Sequence, residues 1–202
     1  MNTVELIGTY GGDVTHALSA WTSTRRELTD EKRERMGKLL TMLATEGHHT
    51  PFEKSMLHFL VRCDTASHIH LIKHRIGVSV NGESARYKEI TPSFHIPWDW
   101  PPHLQDRLEA AALAAQEAYQ AALEELTPVL GRKRAKESAR FFLPYSNQLT
   151  LDISFNFRSF MHFQGLRNDD HAQDEIHKIA MAMIELVRDT GQFNDSLAAF
   201  HY

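Results

Sequence analysis

One stretch constrains this chain more than any other: Lys73-His74-Arg75-Ile76-Gly77-Val78-Ser79-Val80-Asn81-Gly82-Glu83-Ser84-Ala85-Arg86-Tyr87. It concentrates hydrogen-bond donors and carries little apolar content, so it reads as an anion cradle. Lys73, His74 and Arg75 are expected to close a short helix that starts near Thr65, and the Gly77 to Gly82 segment lets backbone N–H groups approach a bound oxygen closely. Ser84 and Arg86 follow two apart. In an extended segment they project to one side, where a hydroxyl and a guanidinium fork can grip one phosphate. A solvated basic loop is the competing reading.

The rest of the chain supplies a core. With 202 residues and 42% hydrophobic content, it can fold as a single domain over 1–202. A net charge of −4 and a pI near 6.3 argue against a general nucleic-acid binder. The single cysteine, Cys63, excludes an internal disulfide and fits a reducing cytoplasm. No secretory leader is expected, and no apolar run reaches the roughly 18 residues of a membrane span, so no membrane partner is expected either.

In chain order, Val4 to Ile7 is a short strand ended by Gly8 and the Gly11-Gly12 pair, after which Asp13 can cap a helix to about Ser19. Thr29 or Asp30 caps a second helix to about Thr45, with Met36, Leu39, Leu40 and Leu43 on one stripe and Gly47 as the stop. His48-His49-Thr50-Pro51-Phe52-Glu53 follows; it is either a functional loop or one whose Thr50 and Glu53 satisfy nearby backbone. Met56 to Cys63 reads as a buried strand in which Cys63 is a packing residue.

Thr65 to Arg75 brings His68, His70 and His74, and helical spacing puts the last two on one face. A metal site needs a third ligand and the local pattern offers none, so no metal is expected. Ile90 to Pro102, rich in proline and aromatics, reads as an irregular connection or lid. Leu104 to about Leu126 is a long amphipathic helix with Leu108, Ala112, Ala115, Tyr119 and Leu123 along one face. Gly131 to Arg140 is a charged helix whose last residue, Arg140, abuts Phe141-Phe142-Leu143-Pro144. Gln148 to Ile153 alternates as a strand, a helix is expected from Asp169 to about Val187, and Phe193 to Tyr202 is a tail or docking segment.

Several of these segments together resemble the flavin-dependent thymidylate synthases. Basic-His-Arg followed by Ser-x-Arg-Tyr is similar to that family's signature, with Lys73 in the place of its first Arg and eight residues between Arg75 and Ser84. Glu83 stands one position later than the family's Glu. His-x-Thr-Pro-Phe-Glu at 48–53, Ala-Arg-x-x-Leu-Pro ending at Pro144, Asn-x-Arg-Ser at 156–159 and Leu-Arg-Asn-Asp-Asp-His-Ala-Gln-Asp-Glu-Ile at 166–176 occur in the family's order. The resemblance implies an α+β fold, a homotetramer with flavin sites shared between subunits, and FAD, NADPH and methylenetetrahydrofolate as cofactor and co-substrates. It places flavin contacts on Thr50, Lys73, His74, Arg75, Glu83, Asn156, Arg158 and His162, the last where the family commonly has Asn. It places the nucleotide on His70, Lys73, Ser84, Arg86, Arg140 and Arg167.

The implied reaction is methylation of a uridine monophosphate at C5, a poor carbon nucleophile. Cys63 lies in an apolar strand, so a thiol adding to C6 is not the expected route. Ser84 has no triad partners and serves better as a phosphate ligand. The remaining route is electrostatic: a guanidinium against O2 and N3 of the pyrimidine stabilises its anion, and Arg167 is the expected catalytic group. An ion pair of Arg167 with Asp169 or Asp170 is its structural alternative. Because His70 and Lys73 replace the family's usual Gln and Arg where the nucleotide is gripped, a reshaped pocket that admits UMP as well as dUMP is expected. Two other classes stay open: a metal-dependent hydrolase using His70, His74, Asp170 and His171, and a catalytically silent flavin or nucleotide binder.

Overall fold

The computed structural model describes residues 2–84 and 86–202. Its elements run β1 Thr3–Tyr10, α1 Asp13–Trp21, α2 Asp30–Thr45, a 3-10 turn Thr50–Glu53, β2 Met56–Asp64, α3 Thr65–Ile72, β3 Val78–Gly82, α4 Pro102–Leu130, α5 Arg132–Ala139, β4 Gln148–Phe155, α6 Phe157–Arg167, α7 Asp174–Asp189 and α8 Asn194–Ala199. The four strands form one sheet in the order β1-β2-β4-β3. The apolar run that marked β2 and the alternation that marked β4 in sequence are the physical basis of that sheet. Leu57, Phe59, Val61 and Cys63 on β2 and Leu151, Ile153 and Phe155 on β4 have no exposed surface, because every second side chain points to one face.

The chain forms two compact units. The first comprises Arg62–Ile72 and Asn81–Leu151 with the chain's first residues. Its α4 buries Ala112, Gln116, Tyr119 and Leu123, the face that the apolar spacing marks, with Gln116 added. Tyr119, Leu123, Ala135 and Ala139 make a small core between α4 and α5. The 90–102 connection is less free than a lid. Gln116 Nε2 donates to Ile90 O at 3.0 Å, Ile90 N donates to Tyr119 Oη at 3.3 Å, and Phe94 bridges Asn147. These bonds pin its first half, while Trp98 stays 73% exposed.

The second unit comprises Val4–Val61, Lys73–Val80 and Asp152–Tyr202. It is built on aromatic rings. Phe59, Phe155, Phe160 and Phe163 form one cluster, and Phe52, Phe157, Phe193 and Phe200 another. Helix α7 turns Ile176, Ile179, Ala180, Met183, Ile184 and Val187 inward, a helical stripe that secures α7 through burial. It begins at Asp174 and not Asp169, because Asp169 spends its side chain and carbonyl on a turn that accepts from the N–H groups of His171 and Ala172.

Near the termini one expectation changes and one is narrowed. Asp13 does not cap its own helix: Gly12 occupies that N-cap with φ 151. The Asp13 carboxylate instead accepts from the N–H groups of Asp195 and Ser196, at 2.9 and 2.8 Å, satisfying the start of α8. The C-terminal segment is therefore a docked helix, packed against α2. Among the described residues no helix is long and apolar enough to cross a membrane.

At the centre of the second unit sits His16, fully buried among Phe52, Phe157 and Phe193. Its two ring nitrogens meet Ser196 Oγ and Ser55 Oγ, each at 2.8 Å. Burial pushes its pKa down to about 4. An unfolded chain with an ordinary histidine near 6.5 therefore binds the extra proton first, so His16 contributes stability above about pH 6.5 that is lost as pH falls towards 4. The expected size is on the order of 3 kcal/mol across that window. Urea unfolding of the wild type and His16→Gln between pH 7 and pH 4 checks this. The difference between the two proteins should shrink as pH falls, and comparing them cancels the opposite contribution of Asp13, whose pKa burial raises.

Candidate active site

Helix α6 positions the site, and its first turn shows why. Asn156 is the N-cap, with Oδ1 accepting from Ser159 N at 2.8 Å, while the fully buried Phe157 anchors the helix start in the core. The same Asn156 donates its backbone N–H to Gly77 O at 2.9 Å. Gly77 has φ 65, and a Cβ there would fall 2.2 Å from Asn156 Nδ2 and 2.4 Å from Ser159 Oγ. The turn that follows Arg75 is thus clipped against the helix N-terminus, and only glycine fits the contact.

From this start, Arg158 and His162 stand one helical turn apart on the exposed side of α6. Arg158 Nη1 meets Glu53 Oε1 at 2.5 Å, with both side chains partly exposed. A cleft of about 780 Å³ opens here, lined by polar Asn156, Arg158, Ser159 and His162 and by apolar Ile76, Met161, Leu166 and Phe200. At the far end of α6, Arg167 donates from Nε to His74 Nε2 at 3.3 Å. The His74 ring is edge-on to the buried Phe163, with centroids 5.1 Å apart, and lies 6.2 Å from the His162 ring.

In the second unit, then, the structure gathers His74, Asn156, Arg158, His162 and Arg167 along one helix and the segment clipped to it. Lys73 and Arg75 are exposed on either side of His74. Thr50 is exposed at the start of the 3-10 turn, whose last residue is Glu53. The alternative ion pair of Arg167 with Asp169 or Asp170 is not formed among the described residues, where the partner of Arg167 is His74. Helix α3 stops at Ile72, so Lys73, His74 and Arg75 do not close it, and His70 and His74 do not share a helical face. Among the described residues no group of three or more His, Cys, Asp or Glu is placed to hold a metal ion.

The other expected residues lie in the first unit. His70 sits on α3. The supposed cradle from Gly77 to Gly82 is largely strand β3, because Val78, Ser79 and Val80 suit a pleated ladder better than a loop. Ala85 lies outside the described residues. Ser84 O accepts from Tyr87 N, and Ser84 Oγ accepts from Arg86 N, with Arg86 and Tyr87 in a turn. Ser84 and Arg86 therefore do not project from an extended segment. Arg86 pairs with Glu137 at 2.8 Å. Glu83 bonds Lys88 and accepts from Thr150 N at 3.0 Å. Partial burial pushes its carboxyl upward, but the Lys88 hydrogen bond, the Thr150 N–H and the charges of Lys88 and Arg62 outweigh it and hold the pKa below the usual range. Arg140 is exposed at the end of α5.

His49, Ile76 and Phe200 line the cleft without a role having been assigned to them from the sequence, and Gly77 lines it as well, as the clip to α6. The sequence reading also assigned Glu53 no ionic role. The Pro-Phe-Glu of that segment carried a signal, since buried Phe52 fixes the turn that presents Glu53.

A sequence model of the family described as thymidylate synthase complementing protein matches residues 5–190. The chain belongs to the flavin-dependent thymidylate synthase family. It is 32% identical to the flavin-dependent thymidylate synthase of Pseudothermotoga lettingae over 190 residues, covering 92% of this chain and 84% of that one. It is 33% identical to the Thermotoga neapolitana enzyme of the same name over 192 residues, covering 92% and 85%. The fold matches the crystal structure of a UMP/dUMP methylase, PolB from Streptomyces cacaoi, bound with 5-Br dUMP. That match has a TM-score of 0.84 at 28% identity and covers 99% of this chain and 94% of the other. The same methylase bound with 5-Br UMP matches with a TM-score of 0.79 at 26% identity.

Gly77 tests how this member of the flavin-dependent thymidylate synthase family holds its cleft. Gly77→Ala should cost more than the roughly 1–2 kcal/mol of a left-handed non-glycine residue, because its Cβ also collides with Asn156 and Ser159. Gly47→Ala, at φ 74 with nothing within 4 Å of the new Cβ, should cost the backbone penalty alone. Urea denaturation of both variants reads the difference.

Proposed function

We propose that the chain is a flavoenzyme that methylates C5 of a uridine monophosphate, dUMP and UMP, with methylenetetrahydrofolate as the carbon donor and NADPH as the reductant. The observation that carries this reading is the likeness over 99% of the chain to a UMP/dUMP methylase, joined to a guanidinium at Arg167 beside the α6 cleft. The single family match from 5 to 190 supports one functional domain, and the family resemblance supports a cytoplasmic homotetramer.

The cleft fits FAD by its chemistry. Its apolar side chains suit a broad aromatic ring, and Arg158 with the N-terminal turn of α6 suits an anionic tail. Asn156, Arg158, His162 and His74 would hold the group from α6 and the segment before β3, with Thr50, Lys73 and Arg75 as further contacts; for Glu83 a flavin contact rests on the family resemblance alone. Bound, FAD supplies the hydride that turns the transferred one-carbon unit into a methyl group. Arg167 supplies the activation: two planar donors against the uracil edge stabilise the anion that makes C5 nucleophilic. By the family resemblance alone, His70, Lys73, Ser84, Arg86 and Arg140 are the proposed contacts of the nucleotide's sugar and phosphate. Cys63 cannot replace this route as a thiolate nucleophile, because burial, reinforced by Asp64, pushes its pKa up to about 12.

Incubating the purified protein with FAD, methylenetetrahydrofolate, NADPH and either nucleotide, with mass analysis for a 5-methyl product, tests the function. Arg167→Lys should keep flavin and fold yet lose roughly 2–4 kcal/mol of transition-state stabilisation. Turnover within about threefold of wild type would assign Arg167 to structure. UMP and dUMP should be used with comparable efficiency; a dUMP preference of about a hundredfold or more would show a pocket built against the 2′-hydroxyl.

A further inference from the structure

The contact between Arg167 and His74 has a defined polarity. An arginine Nε–H can only donate, so His74 Nε2 must accept, which requires a neutral imidazole with its proton on Nδ1. The ring that accepts is held in place: Phe163, with no exposed surface, meets it edge-on, and His162 packs at 66° to it. The segment bearing His74 is fixed in turn by the Gly77 O to Asn156 N hydrogen bond at the other end of α6. One helix thus carries both Arg167 and the anchor of the residue that orients it.

The geometry also decides which donors Arg167 has left. Its Nε–H is spent on His74, and among the described residues its two Nη groups have no protein acceptor. Those are the parallel donors from which a carbonyl oxygen and the deprotonated N3 of a pyrimidine anion would accept. An arginine at the last turn of a helix would otherwise sample many rotamers, and side-chain entropy opposes holding it in one.

We infer that His74 is a positioning residue for Arg167: its neutral imidazole takes the Nε–H and aims the two Nη groups at the pyrimidine. The inference rests on the proposed function and adds a role for His74 beyond contact with the flavin. His74 holds no bond to the reacting atoms; it acts through Arg167. A residue with that role is replaceable by any side chain that sets an acceptor where Nε2 stands. Glutamine reaches that position with its amide oxygen, whereas phenylalanine keeps the ring packing and loses the acceptor.

The test compares His74→Gln and His74→Phe with wild type for flavin content, dUMP binding by equilibrium dialysis, and steady-state methylation. His74→Phe, assayed with FAD added to saturation so that any loss of flavin contact is compensated, should lower kcat about 10- to 100-fold, the range for losing a charge-assisted hydrogen bond. His74→Gln should recover to within about fivefold of wild type. In the Arg167→Ala background, His74→Phe should leave the dUMP dissociation constant unchanged, since a residue acting through Arg167 has nothing left to orient. Three results would overturn the role alone: full turnover in His74→Phe, a His74→Gln variant as impaired as His74→Phe, or additive losses of dUMP affinity in the double variant. Wild-type protein that binds neither dUMP nor UMP would overturn the function and this role together.

Discussion

The hydrogen bond from Asn156 N to the carbonyl of Gly77 holds the site together, because it joins the start of α6 to the segment carrying His74. Asn156 serves two purposes at once. Its side chain satisfies an N–H of the first helical turn, and its backbone clips a chain segment that has no helix or strand of its own. Beneath it, Phe157 and its neighbours bury the helix start among other aromatic rings. Hydrophobic burial fixes where α6 begins, and the cap fixes its direction; the positions of Arg158, His162 and Arg167 follow from the helical repeat.

Charge is distributed along that helix in a graded way. At its N-terminus Arg158 is met by Glu53, and at its C-terminus Arg167 is met by a histidine. A carboxylate neutralises, so Arg158 can release it only to a stronger or better placed anion. An imidazole acceptor orients without neutralising, which leaves the full positive charge of Arg167 available to a ligand. Since exposed pairs contribute at most about 1 kcal/mol to stability, the Arg158–Glu53 contact is better understood as a pre-set arrangement of the cleft than as a support of the fold.

Part of what surrounds the site was legible in the sequence as local pattern: the apolar run at 56–63 and the alternation at 148–153 marked the two inner strands, whereas Asn156-Phe157-Arg158-Ser159 stood out only by its family likeness, and the helix α6 that Asn156 caps was not expected. The errors came where tertiary contacts overrode local tendency. Nothing local to Lys73-His74-Arg75 shows that α3 ends at Ile72, because the acceptor that turns the chain away lies at Gly77 and its donor is at residue 156. Asp13 looked like a cap for its own helix, but the donors it serves are at 195 and 196. The Ile90 to Pro102 stretch looked like a lid because its composition is irregular, and Gln116 and Tyr119, which tie it down, speak only once α4 is folded. The Arg167–His74 contact was out of reach for the same reason, since it joins residues from two distant parts of the chain.

Replacement of the C5 hydrogen is the event that separates uridylate methylation from silent binding of flavin or nucleotide. The most direct measurement is release of tritium to water from dUMP and UMP labelled at C5, with FAD, methylenetetrahydrofolate and NADPH present. Release that requires the folate and is matched by 5-methyl product is the predicted result. Flavin-loaded protein that binds both nucleotides and releases no tritium would contradict it.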